Sequence, residues 1–97
     1  MYGTVANIRV KSGHQDDLIK LMQEWNNERR PKIEGAQTGY AVQLDSGPQD
    51  MIMIGIFDNK ELYRKNADDP DQDRWFRRIM EHLESEPDWH DGEFIEV

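Results

Sequence analysis

Asn7, Tyr63 and a Trp–His pair on one helix are the residues of this chain whose types and spacing could do chemistry. Asn7 sits in the middle of "YGTVANIRV", an alternating run with apolar neighbours. If that position faces a helix layer, the carboxamide is buried and needs partners. It could then hold a substrate oxygen or an oxygen-derived anion by hydrogen bonding. The other readings are a satisfied core amide or a residue facing a second copy. Tyr63, in "DNKELYRKNA", offers a hydroxyl that needs a partner if buried and that could donate a proton or orient a ligand. "PDQDRWFRRIMEHLE" places Trp75 and His82 seven positions apart, nearly on one side of a helix.

With Trp75 at zero and about 100° per residue, Ile79 falls at about 40°, Leu83 at about 80°, Phe76 at about 100° and Met80 at about 140°. His82 falls at about 340°, just outside this apolar arc. The arc is first a core face, with Arg74, Arg77, Arg78, Glu81 and Glu84 as solvated pairs behind it. Trp75 and Phe76, with Trp25 from an earlier helix, could also wall a pocket, because aromatic walls suit planar apolar ligands. His82 reads as a border residue, paired with Glu86 four positions on. His14 and His90 read as exposed, with no neighbours at metal-ligand spacing. "DDPDQD" lacks the alternating ligands, central Gly and closing Glu of a calcium loop. Nucleophile elbows and phosphate loops are absent from the sequence.

Composition narrows the classes. Ninety-seven residues are expected to form one domain, spanning 1–97. The 36% hydrophobic content falls in periodic blocks, and three Trp, three Tyr and three Phe argue against a disordered acidic chain. A formal charge of −8, with Arg interleaved among acids, disfavours nucleic acid and anionic membrane surfaces. With no Cys, disulfides and thiolate chemistry are excluded. No apolar run approaches the roughly 20 residues of a membrane helix, and the N-terminus does not read as a signal peptide. A cytoplasmic protein is expected.

The elements that must position these residues follow from periodicity. Residues 2–10 read as a strand, with Tyr2, Thr4, Ala6, Ile8 and Val10 on one face and Gly3, Val5, Asn7 and Arg9 on the other. Ser12 with Gln15 fits a capping box opening a helix, with a stripe of Leu18, Leu21, Met22 and Trp25, that stops near Arg30 before Pro31. Residues 36–44 alternate, with Thr38, Tyr40, Val42 and Leu44 on one face. Residues 51–57, "MIMIGIF", are apolar on both faces and read as a central strand covered on both sides. Asp58 with Glu61 is expected to cap a short helix running to about Asn66. Asp69 caps a third, with Pro70 at its first position, running to about Glu86. "GEFIEV" closes the chain as a last strand. The order β-α-β-β-α-α-β predicts an α+β, ferredoxin-like fold: an antiparallel four-stranded sheet with the helices on one face. The second sheet face is then bare although residues 51–57 are apolar there too, so a homodimer packed sheet against sheet is expected.

"TVANIRVKSG" running into a helix, "PKIEGAQTGYAVQLD" running into a turn, "MIMIGIFDNKELYRKNADDP" and the aromatic pair that follows resemble the antibiotic biosynthesis monooxygenase family of dimeric α/β barrel proteins. The resemblance spans nearly the whole chain. It implies a cavity between sheet and helices. It also implies oxidation of a small aromatic or enol-type substrate by oxygen with no metal, flavin or other cofactor. Asn7 is similar to a first-strand Asn that family members use on oxygen atoms. Asn7 and Tyr63 are then the expected catalytic residues, with Trp75, Trp25 and Phe76 lining the substrate. A non-catalytic dimeric ligand-binding or structural module is the alternative. Haem degradation is a third reading. The haem-degrading relatives place a Trp on the short helix and an iron-ligand His near the start of the next. Here those places hold Tyr63 and Asn66, and Trp75 and Phe76, with His82 about two turns later.

Overall fold

The computed structural model describes residues 1–97. Its elements are β1 (Tyr2–Arg9), α1 (Gln15–Glu24), a π-helical turn (Trp25–Arg29), a 3₁₀ turn (Arg30–Lys32), β2 (Ala36–Gln43), β3 (Asp50–Phe57), α2 (Lys60–Ala67), α3 (Pro70–Met80) and β4 (Asp88–Glu93). The four strands form one antiparallel sheet in the order β2-β3-β1-β4. The fold is therefore the expected ferredoxin-like α+β arrangement. No helix is long and apolar enough to cross a membrane.

Alternation decides which side of each strand meets the helices. On β1, Ala6, Ile8 and the following Val10 are buried, while Asn7 and Arg9 between them are exposed. Ile8, Val10 and Met51 join Leu18 of α1 and Leu83 in one buried cluster, with Ile19, Met22, Met53, Ile79 and Met80 packed around it. The opposite face of β3 carries Ile52, Ile54 and Ile56, all partly exposed. Beside them on β2, Tyr40 and Val42 are 60% and 40% exposed, so the outer face of the sheet is apolar and uncovered within one chain.

Several boundaries differ from the sequence expectation. The first helix begins without a side-chain cap, at His14 rather than Ser12. Gln15 instead donates its Nε2 to the Pro48 carbonyl at 2.9 Å, tying the helix start to the β2–β3 turn. The α-helix proper ends at Glu24 and its π-helical continuation is capped at Arg30, close to the expected stop; Pro31 lies in the separate 3₁₀ turn, near its start, where a missing N–H costs nothing. At α2 the cap is Asn59, whose side chain accepts from Leu62 N–H, and Asp58 instead accepts from Gln37 Nε2 at 2.6 Å. Asp69 caps α3 as expected, accepting from Asp71 N–H, with Pro70 next.

The largest differences lie at the end of the chain. Helix α3 stops at Met80, six residues short of the expected Glu86. The chain turns there so that Leu83 enters the core from an extended bridge to Val10, fixed by Lys11 N–H to His82 C=O and Glu84 N–H to Arg9 C=O. The last strand is Asp88–Glu93, "DWHDGE", not residues 92–97. It is an edge strand whose position is set by pairing with β1, from Asn7↔Asp88 to Tyr2↔Glu93. It needs no apolar alternation of its own, so pattern alone points to the apolar tail instead. In that tail Ile95 is 78% exposed.

Gly35 ends the connection into β2 with φ +78°, and an added Cβ there would strike the side chain of Leu62. The position needs glycine both for its backbone and for the approach of α2.

Candidate functional site

Strand register places Gly39, Gly55, Thr4 and Asp91 in one row across β2, β3, β1 and β4, on the side facing the helices. The next row is Ala41, Met53, Ala6 and Trp89. Three of the four strands therefore offer little or no side chain at the first row. A Cβ added at Gly55 meets nothing within 4 Å. At Gly39 the nearest side chain to such a Cβ is the Trp25 ring, at 3.7 Å. The result is a floor of small residues, roofed by the Trp25 ring at Gly39 and open above Gly55.

Helix α2 carries Tyr63 to the edge of this space. Its ring packs edge-on against Tyr2 and Phe57, with centroids 5.4 and 5.5 Å away. Its hydroxyl donates to Asp91 Oδ1 at 3.0 Å. Burial first, and then the hydrogen bond to the Asp91 carboxylate, push the Tyr63 pKa up to about 12, against a smaller opposing effect of Thr4. Tyr63 thus keeps its proton near neutrality and acts as a donor. The carboxylate beside it is the basic partner of the pair.

Behind the aromatic wall lies a polar network. Trp25 Nε1 and Arg29 Nε both donate to Gln72 Oε1, each at 3.1 Å. Arg29 Nη2 donates to Asn66 Oδ1 at 3.1 Å and lies 3.5 Å from Asp69 Oδ2. The Arg29 side chain is 12% exposed. A charge so enclosed is tolerated because amides and a carboxylate surround it. It fixes the π-helical turn against α2 and α3, and with it the orientation of Trp25.

Of the residues expected at a site, Tyr63, Trp25 and Phe76 lie on the inner, helix-facing side of the sheet. Phe76 meets Trp89 with centroids 5.6 Å apart. Asn7 does not share that space. It points to the outer sheet face, where its Nδ2 lies 3.4 Å from His90 Nε2. The parity that buries Ala6 and Ile8 turns Asn7 the other way, so the expected pocket with Trp75 at one end and Asn7 at the other is not formed. Trp75 is turned outward too: Arg78 stacks on its ring at 4.5 Å, and with Arg29 and Arg74 it borders an outer groove of about 440 Å³. His82 lies beyond the end of α3, with Nδ1 3.1 Å from His14 Nδ1 instead of the expected pairing with Glu86.

Asp91, Gly55, Arg29 and Gln72 were not signalled by sequence. Asp91 sits in "DWHDG", which carries no apolar alternation, and the others gain meaning only from register and helix packing.

No protein-family model matches the chain, and no curated protein sequence matches it. Solved structures share its fold. A Deinococcus radiodurans protein, named provisionally as an antibiotic biosynthesis monooxygenase, superposes with a TM-score of 0.80 at 13% identity, over 100% of this chain and 95% of its own. A structure named antibiotic biosynthesis monooxygenase gives 0.77 at 12% identity, over 99% and 100% of the two chains. A conserved protein from Methanosarcina mazei Go1 gives 0.79 at 18% identity, over 94% and 89%. At these identities the likeness is one of fold.

Proposed function

We propose that the protein is an oxidising enzyme of the antibiotic biosynthesis monooxygenase type, acting on a small planar aromatic or enolic substrate between the sheet and its helices. The observation that carries this reading is the Tyr63–Asp91 pair at the edge of the space above Gly55. The substrate lies on the Gly39–Gly55–Thr4 floor, with Trp25 and Phe76 as walls. Asp91 removes a proton from the activated carbon. As Asp91 takes up that proton, the Tyr63 hydroxyl leaves it and donates its single hydrogen bond to the substrate oxygen on which negative charge grows. The carbanion adds dioxygen from solution to form a carbon–oxygen bond, and the resulting peroxide anion takes back the proton held by Asp91. The hydroperoxide then loses water, so that a CH2 group becomes a carbonyl. No cofactor enters this scheme. Two copies joined through their outer sheet faces form the working unit, covering Ile52, Ile54 and Ile56.

A non-catalytic ligand-binding module is the second reading. The solvent exposure of Asp91 favours it, because a hydrated carboxylate is a weak base. Oxygen uptake measured with a panel of hydroxylated polycyclic aromatics separates the two. The enzyme reading expects uptake with at least one compound, reduced about 100-fold or more in Asp91→Asn and more mildly in Tyr63→Phe. Binding without oxygen uptake by any panel member would leave the ligand-binding reading alone standing.

A further inference from the structure

His14 precedes α1 and His82 follows α3, yet their Nδ1 atoms converge to 3.1 Å in a partly buried setting. The backbone holds them there. Lys11 N–H donates to the His82 carbonyl at 2.8 Å, and His14 N–H donates to the Lys11 carbonyl at 2.9 Å. The rings meet edge to face, with centroids 5.3 Å apart. With both imidazoles neutral, one Nδ1 carries the proton and donates to the other, which needs one ring in the Nδ1–H form.

A different occupant suits the same geometry. Two imidazole nitrogens bound at about 2.0–2.1 Å to one zinc ion stand about 3.3 Å apart in tetrahedral coordination, and about 2.9 Å apart at right angles. The observed separation falls between these values. The groove that His82 borders also carries Asp17, Glu24 and Glu81 against Lys20 and Arg78, with the Lys11 ammonium on the Glu81 carbonyl, so charge around the pair is mixed.

We propose that His14 and His82 form a binding site for a divalent transition metal of the zinc, nickel or copper type. No third His, Cys, Asp or Glu closes the ligand set. Water or an outside ligand completes it, so the metal is exchangeable and its coordination sphere open. Affinity follows the order of imidazole preference, with copper tightest. The site lies apart from the Tyr63–Asp91 pair and does not depend on that pair's role.

The test is calorimetric titration of the untagged full chain with Cu²⁺, Ni²⁺ and Zn²⁺, followed by melting with and without metal. The proposal expects one metal per chain and a higher melting temperature when loaded, because the ligands come together only in the folded state. His14→Ala and His82→Ala should each weaken binding about tenfold or more, whereas His90→Ala should leave it unchanged. Two imidazole nitrogens should appear in the spectrum of the Cu²⁺ complex by electron spin resonance. If an alanine variant fails to fold, His14→Asn and His82→Asn keep a polar side chain at the contact and carry the same expectation. Absence of binding, retention in the His14 and His82 variants, or equal weakening by His90→Ala would overturn it.

Discussion

At one end of the layer between sheet and helices, Ile8, Val10 and Met51 meet Leu18 and Leu83, and all five are at most 5% exposed. About 13 Å along β1 from Ile8, four residues at about 3.3 Å each, Thr4 stands beside Gly55 and Gly39 and the sheet offers almost no side chain. β1 and β3 run through both ends, but the cover differs: α1 and the end of α3 at the first, the π-helical turn, α2 and the start of α3 at the second. At the first end helices and sheet are held by apolar contact. At the second they are held apart by a ring of aromatic and polar groups: Trp25 with Gln72, Arg29 with Asn66, and Tyr63 with Asp91. A small domain has little apolar surface to bury. Concentrating it at one end leaves room above Gly55 at the other, the place of the proposed substrate.

Opposite responses to substitution would sharpen this contrast. Leu18 is fully buried, so Leu18→Ala should cost about 3 kcal/mol in urea unfolding and leave ligand binding at the other end unchanged. A cost below about 1 kcal/mol would mean that the packed end is not the main anchor. Gly55→Ala should go the other way. Its φ is not positive and its Cβ meets no neighbour, so restricting the unfolded chain should add up to about 1 kcal/mol. Gly55→Leu, which reaches further into the space, should keep the fold and lose ligand affinity. Destabilisation by Gly55→Ala would show that the space is closed in solution.

A third effect, confined to alkaline pH, concerns Tyr63. Its pKa is raised from 10.0 to about 12 in the folded chain, so the fold favours the protonated phenol. That contribution is fully present below the unfolded value and is lost as pH rises through the folded one. Between about pH 10 and 12 the chain should therefore lose more stability than Tyr63→Phe does, measured as the change in urea midpoint for each. Parallel loss in both proteins would place Tyr63 in water, not in the interlayer.

Much of this arrangement is legible without coordinates. Alternation in 2–10, 36–44 and 51–57 identifies three strands, and the two-sided apolar character of the third marks it as central. The fourth strand is not legible, because an edge strand paired on one side needs no apolar pattern. That single gap hides Asp91, since only the β1–β4 register brings it opposite Thr4 and under Tyr63. Asn7 shows the limit of composition. An amide among apolar residues looks buried, but alternation gives it the parity of Val5 and Arg9, away from the helices. Leu83 is core, as its place in the apolar arc predicts, though it arrives from a bridge and not a helical turn, because the chain must bend back to reach β4.

The π-helical turn at Trp25–Arg29 has a consequence for how this chain can vary. Such a turn holds about one residue more than an α-helical turn. The apolar stripe of α1 before it and Arg29 within it are in phase only while that extra residue is kept. Removing one of Asn26, Asn27 or Glu28 would let the segment relax to α geometry and swing its two ends by about 100° relative to each other. Leu18 and Leu21 could then stay in the core only if Arg29 left Gln72 and Asn66. Asn27 and Glu28 are exposed and free to change in kind. Their number is what is fixed: spacing, more than identity, is the conserved quantity to expect in this stretch.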